Sequence, residues 1–575
     1  MNFQAADWIV LVITLLGVIA FGIYKSSTSR NLEGYFLSNR QMPWWMVLLS
    51  IMGTQASAIT FLTAPGQAYT DGMRFVQYYF GLPLAMIVLA ITFVPLFHRL
   101  KLFTAYEFLE QRFDGKTRML TSFLFLLSRG LSTGISVFAP SLVLHSMLGW
   151  DIYWTNIFMG GLLIIYTVTG GAKAVAYTQQ LQFVIIYIAM FIAAYYAVQS
   201  LPEGVGFTDA LHIAGKSGKL NVITTGQTEH GFDWKDRYNI WSGLIGGFFL
   251  ALSYFGTDQS QVGRYLTAKD EKQSRVSLLM NGLVKVPLQF LILLIGCLLF
   301  AYYSFFKAPA FFNQAQEQQV LASAYATEYR EETVAFTQLQ SRKKELATAL
   351  SSALKKEDQP AIDNLRLQLQ GVEAEGKSIR KNIQQLIKKV NPGADTNDTN
   401  YIFLRFVGDV LPVGLVGLII AIIFLAAWGS IAAALNSLAS CTMIDFHKKF
   451  TRQTLTAEQE YRWGKMYTLL WGVFCIVIAQ FAYNLGNSLI EAVNILGSWF
   501  YGTILGIFLV AFYMKFVKGN AVFVAAVLSE MVVIAVYYLD LISFLWLNVI
   551  GAVCVLLFSF IIQILTPVRR PLTKE

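Results

Sequence analysis

Runs of roughly 20 mostly apolar residues, the length an α-helix needs to cross the hydrocarbon of a bilayer, recur about thirteen times along this 575-residue chain. They fall near 7–24, 44–63, 76–97, 119–148, 152–170, 179–198, 240–260, 276–304, 407–440, 463–483, 487–513, 520–538 and 543–565. Backbone amides cannot be left unpaired in lipid, so runs of this kind specify helices. The expected class is an all-α integral membrane protein with about 13 transmembrane helices. A water-soluble enzyme is excluded by the same feature: 14% of residues are charged, against about 25% in soluble proteins. Of the 79 charged residues, 26 lie between Phe306 and Arg405, so the remainder of the chain is poorer still.

An odd number of spans puts the termini on opposite sides, and the basic residues of the loops decide which side is cytoplasmic. One set of loops holds 22 Lys and Arg, among them Lys25, Arg99, Arg112, Lys116, Arg264, Lys272, Lys448, Lys449, Lys515 and Arg569. The short loops of the other set hold five: Arg74, Lys216, Lys219, Lys235 and Arg237. The N-terminus is therefore expected outside and the C-terminus in the cytoplasm, and short loops favour a bacterial plasma membrane. MNFQAAD carries no basic residue and Lys25 follows the first run, the reverse of a cleavable signal. Cys297, Cys441, Cys475 and Cys554 all lie in apolar runs, where packing is their default role.

The segment 306–405 falls outside by this count. Gln314 to Lys356 and Ala361 to Lys389 are rich in Ala, Glu, Gln, Lys and Leu, with Asp358-Gln359-Pro360 between, which predicts a helical hairpin. Leu365, Leu367, Leu369, Val372, Ile379, Ile383 and Leu386 are spaced roughly as a helix without a clean heptad. Two readings stay open: a solvated insertion, or a docking arm for an extracytoplasmic protein partner.

No nucleophile elbow, phosphate loop, dinucleotide fingerprint or metal-ligand spacing is present, and the five histidines are scattered. That leaves a channel, a secondary transporter or a receptor rather than an enzyme or an ATP-driven pump, with no cofactor expected. Secondary transporters bind their cargo at the midplane, where helices are broken. Two spans carry the signs of a break. One reads Ser50-Ile-Met-Gly53-Thr-Gln-Ala56-Ser57-Ala-Ile-Thr60 leading to Pro65-Gly66; the other carries Gly246-Gly247 and Ser253-Tyr-Phe-Gly256-Thr-Asp-Gln259. Their separation by five spans suits two five-helix repeats, spans 2–6 and 7–11. In the ninth span Ala426, Gly429 and Ser430 share one helical face, which suits an ion site or a close helix crossing. Lys285 and Arg129 are ionisable groups inside spans, and such groups are functional by default. Lys285 is expected to face a polar cavity, and Arg129 to reach the cytoplasmic interface. Asp258 suits a gate or a loop anchor, and Glu491 and Glu530 interfacial or structural roles.

Taken together, several motifs resemble the sodium/solute symporter family. They are Arg30-Asn-Leu-Glu-Gly-Tyr-Phe-Leu37, Thr104-Ala-Tyr-Glu-Phe-Leu-Glu-Gln-Arg-Phe113, Thr133-Gly-Ile-Ser-Val-Phe-Ala-Pro140, Gly170-Gly-Ala-Lys-Ala-Val175, Thr257-Asp-Gln259 with Arg264, and Asn436-Ser437 with Asp445. The resemblance runs from about residue 5 to 515 apart from the insertion. It implies a leucine-transporter-like 5+5 inverted repeat and sodium-driven alternating access. The units it implies are an N-terminal extra helix and loop (1–43), a first repeat (44–200), an outer loop (201–239), the start of the second repeat (240–305), the extracytoplasmic insertion (306–405), the rest of that repeat (406–515), and C-terminal extra helices with a short tail (516–575).

Carried over by position, the resemblance implies sodium binding by Gly53, Ala56, Ala426, Gly429 and Ser430, where Gly429 replaces a serine common in the family. The acid and two serines of a second sodium site fall at Gln179, Ala432 and Ala433, implying one coupling sodium. Solute contacts are implied for Gln55, Ser57, Thr60, Tyr79, Tyr254, Lys285 and Asn494, with Tyr254 resembling an inner gate. Tyr79 stands where sugar transporters carry an acid or amide. The arginine of sialic-acid symporters falls at Ser132, one turn from Arg129. The expected function is sodium-coupled symport of a small polar organic solute, a sugar or sugar acid favoured. The alternatives are symport of a vitamin or monocarboxylate anion, and a transporter-like sensor acting through the insertion. Proton coupling is disfavoured because Gln179 replaces an acid.

Overall fold

The computed structural model describes residues 3–25, 32–451, 455–482 and 488–566; of the motifs above, Arg30 and Asn31 and the side chains of 170–174 lie outside the described residues. The chain is almost wholly helical. Its main helices are α1 (Ala5–Lys25), α2 (Trp44–Gln55), α3 (Ala58–Asp71), α4 (Leu82–Arg99), α5 (Gly115–Leu148), α6 (Ile152–Gln199), α7 (Gly247–Gly256), α8 (Gln259–Tyr265) and α9 (Glu271–Phe305). After the insertion come α10 (Gln314–Leu321), α11 (Ala326–Lys355), α12 (Gln359–Val390), α13 (Leu415–Cys441), α14 (Ala457–Gln480), α15 (Leu489–Tyr513), α16 (Gly519–Tyr538) and α17 (Phe544–Leu565). Among the described residues the only paired strands are the two-residue segments 227–228 and 231–232.

Ten stretches among the described residues are long and apolar enough to cross a membrane, and Ile152–Val168 and Ser242–Gly256 are shorter apolar helices. One of the ten, Ala58–Arg99, spans both α3 and α4. Two expected spans, 152–170 and 179–198, are joined in the single 48-residue element α6. Yet the Tyr166 hydroxyl lies 2.6 Å from that of Thr178. Twelve residues of straight helix would hold them about 18 Å apart, so the chain doubles back between them and two arms remain.

The helices are sorted by burial. In the most apolar window of the stretch Leu415–Phe450, which contains α13, 89% of residues are buried, against 22% in Ala5–Gly22. α13 is therefore the hub of the bundle and α1 a peripheral strut. Ile13, Leu16, Ile91, Phe191, Leu283 and Met531 are exposed, an apolar exterior that suits lipid and not water. Small residues set the closest approaches. A Cβ on Gly66 would lie 2.1 Å from the Thr399 carbonyl oxygen, and one on Gly296 would lie 2.1 Å from that of Pro65. α3 is thus gripped by α9 on one side and by the end of the insertion on the other.

The insertion forms a hairpin of α11 and α12, but its first arm is interrupted at 322–325, which separates α10 from α11. Leu369, Val372, Ile383 and Leu386 are buried, whereas Leu367 is exposed. Ser351 Oγ donates to Asp209 at 3.3 Å and Lys355 donates to the Gly204 carbonyl, so the hairpin lies on the short helix Phe207–Lys216 and the turn before it.

Candidate functional site

Both expected helix breaks are present. Between α2 and α3, Ala56 has ψ 80° and Ser57 is extended, and the Ser57 amide turns back to the Gln55 carbonyl at 3.1 Å. Among the described residues no backbone N–H then reaches the carbonyls of Gly53 and Ala56, which leaves them free to bind a cation. Between α7 and α8, Thr257 ends one helix and the Asp258 carboxylate caps the next, accepting from the Ser260 amide at 2.8 Å and the Ser260 hydroxyl at 2.6 Å.

α13 passes beside the first break. Ser430 Oγ donates back to the carbonyls of Ala426 and Ala427 at 3.0 and 3.1 Å, leaving its lone pairs unused by these bonds. Gly429 is in a different position: its carbonyl accepts from Gln179 Nε2 at 3.0 Å, while Gln179 Oε1 accepts from Ser50 at 2.9 Å. A Cβ at Gly429 would lie 2.7 Å from Gln182 Oε1, so the missing serine side chain has been replaced by a neighbouring amide. Gln179 thereby ties α2, α6 and α13 together with neutral hydrogen bonds. Ala432 and Ala433 are fully buried and offer no side-chain oxygen.

A cavity of about 130 Å³ opens at the same level, and Gln55, Ser57, Thr60, Tyr79, Tyr254, Lys285 and Asn494 all line it, with Ser430 at its edge. At roughly 10–15 Å³ per water-sized probe, the space suits a small organic molecule better than a bare ion. Several lining groups are polar and unspent. Gln55 Oε1 and Asn494 Nδ2 are buried without hydrogen-bond partners, and Lys285 is buried with its ammonium 5.4 Å from the Tyr79 ring centroid. Asn494 Oδ1 accepts from the Tyr78 hydroxyl at 3.2 Å. Buried polar atoms of this kind normally have a partner, so their convergence on one space marks where a ligand's hydroxyls or carboxylate would bond. Gly53, Ala56, Ala426 and Gly429 lie outside the lining, and Ser430 joins the two groups.

One expectation fails here. Arg129 does not reach an interface; it lines the cavity with its guanidinium 5.2 Å from the Tyr254 ring centroid, and it pairs with Asp258. Nε reaches Asp258 Oδ2 at 3.0 Å, and Tyr501 joins them, accepting from Arg129 at 2.8 Å and donating to Asp258 at 3.1 Å. Gln261 donates to the Tyr254 hydroxyl at 2.7 Å. Thr54, Tyr78, Thr133, Ser136, Ser260 and Tyr501 also line the cavity and were not singled out as contacts by sequence, although Thr133 and Ser136 belong to the Thr133–Pro140 motif. Other motif residues are structural: Asp445 accepts from Thr104 at 2.8 Å, Arg118 at 2.6 Å and Ser122 at 2.9 Å. Gln259 likewise receives the Ala105 amide at 3.0 Å and donates to the Phe103 carbonyl at 2.9 Å. Glu491 is paired with Arg237 at 2.8 Å and with Tyr238 at 2.9 Å, a structural role as expected. Glu530 is buried within α16 rather than at an interface.

Comparison with known proteins bears on the whole arrangement. The model of the sodium:solute symporter family matches residues 35–339 and 390–529, leaving out much of the hairpin. The chain is 30% identical over 283 residues to the human sodium/iodide cotransporter, covering 49% of this chain and 43% of that protein. It is 24% identical over 564 residues to the sodium/sialic acid symporter NanT of Aliivibrio fischeri, covering 97% and 93%. The chain thus spans under half of the first relative's length and nearly all of the second's. Among solved structures, a substrate-bound, outward-open Na+-coupled sialic acid symporter superposes with a TM-score of 0.75 at 22% identity, covering 98% of this chain and 99% of the other. That likeness shows the fold, a leucine-transporter-like inverted repeat.

Proposed function

The chain belongs to the sodium:solute symporter family, and from that premise we propose that it couples sodium entry to uptake of a small polar organic solute by alternating access. The N-terminus is placed outside, the C-terminus in the cytoplasm and the hairpin outside, with a bacterial plasma membrane as the setting. One sodium binds between the free carbonyls of Gly53 and Ala56 and the Ala426–Ser430 turn, holding α2 against α13. Gly429 contributes close approach rather than a second hydroxyl. The solute occupies the cavity next to it, where Gln55 and Asn494 present unspent hydrogen-bonding atoms beside the buried Lys285 ammonium. That convergence of unpartnered polar atoms beside a helix break is the observation that carries the reading.

Two cations, Lys285 and Arg129, line the cavity, while Asp258 accounts for one of them. This charge balance supports a solute with a carboxylate, a sugar acid before a neutral sugar. It equally suits a monocarboxylate or a vitamin that carries an anionic group; a sodium-coupled monocarboxylate transporter and a sodium-dependent multivitamin transporter are among the similar proteins. Hydroxyl-dependence separates these: Gln55, Ser57, Thr60 and Asn494 favour a polyhydroxylated ligand. Tyr254, its ring tilted 38° to that of Tyr501 with centroids 5.9 Å apart, and the Arg129–Asp258 pair close the cavity floor as an inner gate. Linkage requires solute to raise sodium affinity by the factor with which sodium raises solute affinity. The test is a thermal-shift screen of purified protein against sugars, sugar acids, amino acids and monocarboxylates in sodium or potassium, on wild type and Ser430→Ala. A solute response that needs sodium and weakens in Ser430→Ala supports the assignment; a response equal in both salts contradicts it.

A further inference from the structure

A second cleft, of about 450 Å³, lies between the hairpin and the end of α3 remote from the break, and it shares no lining residue with the central cavity. Its charged lining comprises Lys219, Lys343, Lys377 and Arg380 against Glu373 and Asp398. Arg380 and Asp398 satisfy each other, with Nη2 at 2.6 Å from both carboxylate oxygens. Three ammonium groups then face one carboxylate.

The remaining partnerships are incomplete. Lys343 is buried, yet its Nζ is 3.9 Å from Glu373 Oε1, beyond hydrogen-bond reach, and 4.2 Å from the Phe300 ring centroid. Glu373 Oε1 is itself buried without a hydrogen-bond partner. Lys219 also approaches the Phe300 ring, 5.0 Å from its centroid, and donates to the Thr70 carbonyl at 2.5 Å. Burial pulls the Lys343 ammonium down to about 8 and lowers that of Lys219. An ammonium held out of water without an acceptor is costly, and an orphaned carboxylate oxygen beside it lacks a donor. One ligand that carries both an anionic group and hydroxyls would satisfy both.

We propose that this cleft is a binding site for a small soluble hydroxy-carboxylate, with the carboxylate between Lys219 and Lys343 and a hydroxyl donating to Glu373 Oε1. The cleft exists only because the insertion closes over α3: Tyr69 and Thr70 form one wall and the Thr399 carbonyl rests on Gly66. Occupancy therefore stiffens the far half of the broken helix, giving the insertion a part in setting the position of α3.

The test is thermal unfolding of the full-length protein in detergent with potassium gluconate, potassium acetate or potassium chloride at matched ionic strength, without sodium. Gluconate is expected to stabilise at concentrations at least tenfold below acetate, and chloride to act only through ionic strength. Lys343→Met and Lys219→Met are expected to abolish the gluconate response, Lys343→Arg to keep it, and Lys285→Met, in the central cavity, to keep it. Lys343→Arg also separates loss of the site from loss of the fold. The proposal is overturned if gluconate acts no better than chloride, or if its effect survives Lys343→Met and disappears in Lys285→Met.

Discussion

Gln179 and the Arg129–Asp258 pair are the side chains on which the geometry of the site depends most. Gln179→Ala strips the Ser50 hydroxyl and one Gly429 carbonyl contact at once. At about 1–3 kcal/mol for each buried group left unsatisfied, a clear drop in the thermal midpoint is expected, and an unchanged midpoint would show that water replaces the amide. For the ion pair, whose side chains are 12% and 1% exposed, Arg129→Met or Asp258→Asn alone should cost about 3–5 kcal/mol, because each leaves a buried group uncompensated. The Arg129→Met/Asp258→Asn double variant should cost less than the sum, read by a double-mutant cycle on denaturant unfolding. Additive costs would mean that the two groups act independently. The pairing is not legible in sequence. Arg129 and Asp258 stand 129 positions apart, and nothing in either local pattern says that α5 and the α7–α8 break meet. Lys285 differs, since a lysine in the middle of an apolar run is conspicuous on its own.

Among the elements, α3 is the most constrained, clasped through Gly66 and Gly296 at distances that leave no room for a methyl group. Both Gly66→Ala and Gly296→Ala must displace backbone, and overpacking of this kind typically costs about 1–3 kcal/mol. Lower melting temperature and lower yield of monodisperse protein are expected for both. Gly161, with nothing within 4 Å, should accept alanine without loss. The hairpin should carry a pH signature. Lys343 faces Glu373 and Lys219, and its folded-state pKa of about 8 lies below the ordinary 10.5. Below about pH 8 both folded and unfolded chains hold the proton, and the burial cost is present in full. Between 8 and 10.5 the unfolded chain holds more protons, so hairpin stability rises with pH. Amide exchange in α11 and α12 should slow over that window, once corrected for the intrinsic rate, and the trend should vanish in Lys343→Met. Span positions were readable because an apolar run must be helical in lipid, and the α2–α3 break because Gly, Ser and Thr crowd a short window. The doubling back inside α6 was readable only as a gap between two apolar runs, and the interruption at 322–325 carries no Gly or Pro to announce it.

For the whole molecule, the symporter fold is what the family resemblance of the motifs implies, the span spacing by itself suiting two five-helix repeats, and the superposition over 98% of the chain agrees with it. The solute does not follow in the same way, since the cavity is assembled from seven or more elements whose side chains meet only after folding. Sodium is the point on which every part of the reading converges: free carbonyls at a helix break, a serine on the hub helix, and neutral Gln179, Ala432 and Ala433 where a second ion would need oxygen ligands. Initial uptake of a labelled sugar acid into proteoliposomes, measured against external sodium under a fixed membrane potential, tests this most directly. The expected result is uptake that requires sodium, rises with a Hill coefficient near one, and shifts to higher sodium in Ser430→Ala. Uptake that proceeds equally in potassium, or that rises with the square of sodium concentration, would contradict it.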